Sequence, residues 1–241
     1  MTRINGCLLG LYEKALPADM KWDERLKAAK KAGYDFLEIS IDESDEKLAR
    51  VKWTPEQRDE LVAAMRRQRM PILTMCLSGN RRFPIGTEDE EVRRTGIQLI
   101  RDAVDFALDV GIRIVQLAGY DEFYGTPTAK TRELFGVALD EVTDYAASRG
   151  VALAIETMET DLMDSIPKVM RYVLRIDSPY LNVYPDVGNL TSKGRNTERD
   201  FKAAGGISWP SISKTRCPAR LAAYHMDTAL WTSSASSDCS G

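Results

Sequence analysis

With 241 residues, 44% of them hydrophobic and 29% charged, the chain has the make-up of a globular protein holding one large domain or two small ones. A net charge of −3 and a pI near 5.4 lack the basic character that nucleic acid selects. Four scattered cysteines (Cys7, Cys76, Cys217 and Cys239) form no CxxC and no disulfide framework, and the apolar run 6–12 is too short for a signal peptide or a membrane span. The expectation is a cytoplasmic protein with reduced thiols, no nucleic acid partner and no membrane partner.

Along the chain, apolar runs of strand length alternate with amphipathic stretches of helix length, the pattern of βα units around a parallel sheet. Strands are predicted at 6–11, 36–41, 72–77, 112–118, 151–155 and 181–184, and helices at 23–32, 55–69, 88–110, 128–148 and 165–176. Within 88–110, Ile97, Ile100, Ala103, Val104 and Ala107 share one side, while Arg94, Arg101 and Asp105 face away. Gly33, Gly111 and Gly150 stand where helices should stop. No GxGxxG or GxxxxGK[ST] follows the first strand, so the regular alternation favours a (β/α)₈ TIM barrel over an open nucleotide-binding sheet.

In a barrel the chemistry collects at the C-terminal ends of the strands. The candidates there are Tyr12, Glu13 and Lys14, then Glu38, Ser40, Asp42 and Glu43, then Ser78 to Arg82, then Gln116, Tyr120 and Asp121, and finally Glu156, Asp186 and Asn189. Asp42, Glu43 and Glu159 read as solvated loop charges, and Tyr120 as a cap on the rim. Arg81 and Arg82 suit either a surface pair or a phosphate. Gln116 is either a satisfied core amide or a site residue. Glu156 and Asp186 each end an apolar strand, where a carboxylate is costly unless paired or bound to a cation. They fit a structural ion pair or the beginning of an oxygen-ligated Mg²⁺ or Mn²⁺ site.

The segments GLYEKALP, EISIDESDEKLARVKW, MCLSGNRRFPIGTEDEEVR, QLAGYDEFY and YPDVGNL, in this order between Asn5 and about Gly206, resemble the L-xylulose 5-phosphate 3-epimerase group of the xylose-isomerase-like barrels. One departure is Gly79-Asn80, where Ala-His is expected. The resemblance implies a (β/α)₈ barrel acting on a small-molecule sugar phosphate, with a homodimer open to the full-length member. It also implies a divalent metal (Mg, Mn or Zn) held by Glu, Asp, His and Glu from four late strands. Glu156 matches the first ligand and Asp186 the second, with Glu156 also one of two acid-base carboxylates. Glu38, Arg81, Arg82, Gln116 and Asn189 are the expected substrate contacts. The implied reaction removes the C3 proton of a 2-ketose phosphate, passes through an enediolate and returns a proton to the opposite face.

From Ile207 the periodicity stops. When the last base of each codon is read with the first two of the next, Trp209-Pro210 must give Ala, Met226-Asp227 must give Gly and Trp231-Thr232 must give Asp. With permissible choices elsewhere, the shifted frame reads HIVAIHLKDTLPGEAGGLPYGHGIVDF, which resembles the family's continuation. The expectation is therefore an incomplete barrel over 1–206 and a frameshifted, aberrant and disordered tail over 207–241. His225, the one histidine of the chain, would then be a by-product of the wrong frame. A chain lacking the third and fourth ligands is expected to bind metal weakly and to be nearly inactive; epimerisation above a Glu156→Ala control would refute this. Two other readings stand beside the epimerase. One is a non-catalytic pentulose-phosphate binder using Arg81 and Arg82. The other is metal-assisted cleavage of damaged DNA, which the absence of histidine from residues 1–206 disfavours.

Overall fold

The computed structural model describes residues 8–192 and 197–205. The tail 207–241, the frameshift, His225, Cys217 and Cys239, together with Cys7 and the first two residues of the predicted strand 6–11, lie outside the described residues.

Six parallel strands, β1 (Gly10–Tyr12), β2 (Phe36–Ser40), β3 (Ile72–Leu77), β4 (Ile114–Ala118), β5 (Ala152–Glu156) and β6 (Leu181–Tyr184), form one sheet in chain order. Between and after them run α1 (Trp22–Lys31), α2 (Asp45–Leu48), α3 (Pro55–Gln68), α4 (Glu90–Val110), α5 (Ala129–Arg149), α6 (Ile166–Ile176), α7 (Val187–Ser192) and α8 (Thr197–Gly205). The helix ends follow local chemistry. Thr54 accepts from Gln57 N ahead of Pro55, and Asp89 Oδ1 accepts from Glu91 N and Val92 N at 3.0 and 3.1 Å. Gly111 and Gly150 close α4 and α5 with φ of 82° and 69°, a left-handed turn that side chains resist.

Alternation, interrupted by a register shift against β3 between Leu37 and Glu38, gives the sheet two different faces. The odd-numbered side chains Leu37, Ile39, Met75, Leu77, Val115, Leu117, Leu153, Ile155, Leu181 and Val183 join the large core under the helices. The even-numbered ones pair in register around the other face: Tyr12 with Glu38, Glu38 with Thr74, Cys76 with Gln116, and Glu156 with Tyr184. This second face is curled. Neighbouring strands are about 4.8 Å apart, so β2 and β6 would be about 19 Å apart in a flat sheet. Yet the Tyr184 hydroxyl donates to Glu38 Oε2 at 2.8 Å. That bond crosses a barrel interior. Gly10 is needed at its start, since a Cβ there would lie 2.3 Å from Phe36 Cζ.

Candidate active site

The interior face carries most of the chemistry. Glu38 is buried in the middle of β2, where Oε2 accepts from Thr74 Oγ1 at 2.7 Å and from Tyr184, while Oε1 has no partner among the described residues. Burial pushes its carboxyl above the ordinary range, against the pull of those two hydroxyls. Gln116 on β4 is 1% exposed, and neither Oε1 nor Nε2 finds a partner among the described residues. Asn80 donates to the Ala118 carbonyl at 3.0 Å and leaves Oδ1 unanswered. Buried polar atoms are ordinarily paired, and three residues sharing this condition on one interior surface leave a set of hydrogen bonds for solvent or a ligand.

Glu156 ends β5, is 4% exposed and hydrogen bonds through its side chain to Asp186. Burial first, then the charge and hydrogen bond of Asp186, then Glu38, raise the Glu156 carboxyl well above the ordinary range, and Arg81 opposes them. The backbone around Asp186 is tightly laced. Asp186 N donates to Thr157 Oγ1 at 2.8 Å, Asp186 Oδ1 accepts from Asn189 N at 2.9 Å, and Asn189 Nδ2 donates to the Thr157 carbonyl at 2.9 Å. Asn189 thus fastens the β6 loop to the end of β5, its amide nitrogen engaged with backbone. Gly119 allows the close approach of β4, since a Cβ there would lie 2.7 Å from the Glu156 carbonyl oxygen.

The two arginines part company. Arg81 ends a 3₁₀ turn after β3, its guanidinium over the rings of Tyr120 and Phe123. Arg82 points outward, paired with Asp45 at 2.5 Å and donating to the Glu43 carbonyl. The loop charges are engaged rather than free: Glu159 accepts from Tyr120, Glu43 from Tyr124, and Asp42 pairs with Lys14 and Lys47. Asn80 is among the rim candidates of the sequence; Tyr184 and Thr74 are not, although Glu38 and Ser40 in FLEIS and Asn182 and Tyr184 in LNVY mark that face by their alternation.

A groove of about 420 Å³ lies elsewhere, on the outer flank among Arg132, Asp161, Lys168, Arg171, Tyr172 and Arg175. Arg132 and Lys168 are already paired with Asp161, and Arg175 with Asp140. The chemistry therefore belongs to the interior face and not to this groove.

Among the described residues no group of three or more His, Cys, Asp or Glu side chains is set to hold a metal ion. Two carboxyl groups close enough to share a proton are nevertheless close enough to share a divalent cation, and their hard oxygens suit Mg²⁺ or Mn²⁺. The pair fits such an ion as part of a donor set. Also among the described residues, no helix is long and apolar enough to cross a membrane.

Comparison with known proteins agrees with this architecture. L-ribulose-5-phosphate 3-epimerase UlaE of Salmonella paratyphi A is 46% identical over 198 residues, covering 82% of this chain and 70% of that protein. The UlaE enzyme of Escherichia coli is 45% identical over the same shares. Among solved structures, a D-psicose 3-epimerase from Clostridium cellulolyticum H10 superposes with a TM-score of 0.71 at 15% identity, over 83% of this chain and 70% of that one. An L-ribulose 3-epimerase gives 0.66 at 16% identity, over 83% and 67%. At these identities the two structures support the fold alone. Residues 26–236 match the family model described as xylose isomerase-like TIM barrel, and with the UlaE relatives this shows that the chain belongs to the L-ribulose-5-phosphate 3-epimerase family of those barrels.

Proposed function

We propose that the interior site epimerises a ketopentose phosphate at C3, interconverting L-ribulose 5-phosphate and L-xylulose 5-phosphate. The observation that carries this reading is the buried Glu156, bonded to the half-buried Asp186, on an interior face where Glu38, Asn80 and Gln116 keep hydrogen-bonding atoms without partners among the described residues. Glu38 Oε1 and Gln116 bind hydroxyls of the open-chain sugar, and Arg81 faces its anionic end. Glu156 takes the proton from C3. Burial makes its carboxylate a stronger base than one in water, which suits removal of a weakly acidic C–H proton. A divalent cation bound by Glu156 and Asp186 would supply Lewis-acid stabilisation of the negative charge that develops on the substrate's oxygens. Asn189 and Thr157 hold the Asp186 loop in place.

Inversion needs a second carboxylate on the opposite face, and by family resemblance that group lies late in the chain. With 1–206 read as an incomplete barrel and 207–241 as out of frame, net epimerisation is slow while proton removal by Glu156 persists. The metal role is tested by titrating Mn²⁺ and following its free-ion electron paramagnetic resonance signal. Glu156→Gln and Asp186→Asn should each weaken binding at least about tenfold, and Glu159→Gln should leave it unchanged. Equal binding by all three would remove the pair from the metal site.

A further inference from the structure

We propose that Arg81 alone of the arginine pair selects a phosphorylated ketose over the free sugar, a specificity that rests on the epimerase reading above. Its guanidinium lies 5.5 Å from the Tyr120 ring centre and 5.3 Å from that of Phe123, and the two rings pack edge to face at 4.6 Å. Stacking on both rings limits the rotamers of a long side chain and leaves the in-plane N–H groups as the free edge of the fork.

Those donors lack an anion. The two buried arginines have a carboxylate, since Arg25 and Arg50 both pair with Glu13, and the part-buried Arg58 pairs with Asp109. Arg81 has no ion pair among the described residues, and its Nε is buried without a partner. Arg81 follows the C-terminal end of β3, the same end of the parallel sheet at which Glu156 closes β5, and its charge opposes the upward shift of the Glu156 carboxyl. A cation there is out of place for a neutral polyol, whose hydroxyls Glu38 and Gln116 already suit. It fits a phosphate dianion at the end of the sugar remote from the reacting carbon, taken by a planar fork. Arg82 has its charge answered by Asp45 on the surface.

The test is calorimetric titration of the full chain, with Mn²⁺ present, using L-ribulose 5-phosphate, L-ribulose and inorganic phosphate. The wild type should prefer the sugar phosphate to the free sugar by about 10- to 100-fold, with inorganic phosphate weaker than the ester. Arg81→Ala should abolish that preference while free-sugar binding stays, Arg81→Lys should keep part of it, and Arg82→Ala should keep all of it. Phe123→Leu, which loosens the stack without touching a charge, should reduce the preference and serves if Arg81→Ala fails to fold. Equal wild-type affinity for sugar and sugar phosphate overturns the role of Arg81 and leaves the epimerase site standing, as does an Arg81→Ala chain with undiminished preference. Loss of the preference in Arg82→Ala also overturns it. A folded wild type that binds neither sugar overturns the epimerase reading itself, and this proposal with it.

Discussion

Gln116 shows in one residue how function displaces stability. An amide buried at both ends without a partner among the described residues opposes folding by the desolvation of each group, about 1 to 3 kcal/mol. Gln116→Leu should therefore raise the midpoint of urea unfolding while weakening sugar-phosphate binding, and a variant that loses stability would show that the amide is satisfied after all. Gln116, Glu156 and Asp186 were legible in the sequence because a strongly polar residue interrupts an apolar run. Thr74 and Tyr184 were not, since a β-branched residue and an aromatic one look like ordinary strand formers. Their roles emerge only when the curl of the sheet brings β2 and β6 together at Glu38.

At the level of elements, the first βα units are joined by a buried ionic knot. The Glu13 side chain is fully buried; it accepts from Ser40 N at 2.8 Å and pairs with Arg25 of α1 and with Arg50 in the 3₁₀ turn after α2. Trp22 lies 5.3 Å from Arg25 and 5.2 Å from Arg50, covering both guanidiniums. Glu13→Gln leaves two buried cations short of an anion and should lower the free energy of unfolding by about 3 to 5 kcal/mol. A loss below about 1 kcal/mol in urea melts would mean that the knot is well hydrated. The sequence placed Glu13 among the rim candidates, yet the pairing that turns it into an anchor depends on helices meeting in space. Element boundaries were legible to within a few residues where a cap marks them, as at Thr54, Asp89 and Gly111. The short α7 was missed because it lies within the segment read as the Asp186 loop.

For the whole molecule, the interior carboxyls govern the response to pH. Glu156 and Glu38 have folded-state values raised above the ordinary 4.5, so folding favours their protonated forms. Their contribution to stability is full below that value and is lost as pH rises through the raised values. Without metal, the melting temperature should fall as pH climbs from about 5 toward neutrality. Glu156→Gln should flatten that fall, and Mn²⁺ should reverse it; a wild-type curve as flat as that of Glu156→Gln would contradict the account. The barrel class was legible throughout because βα alternation is a global pattern. Closure of the site was not, because the periodicity ends near Gly206.

Solvent exchange tests most directly whether Glu156 removes the C3 proton. L-ribulose 5-phosphate is incubated with the chain and Mn²⁺ in D₂O and recovered for proton NMR. The account predicts deuterium at C3 of the recovered sugar, with little epimer, at a rate at least about 100-fold above that of Glu156→Gln. Exchange no faster than in that variant would contradict it.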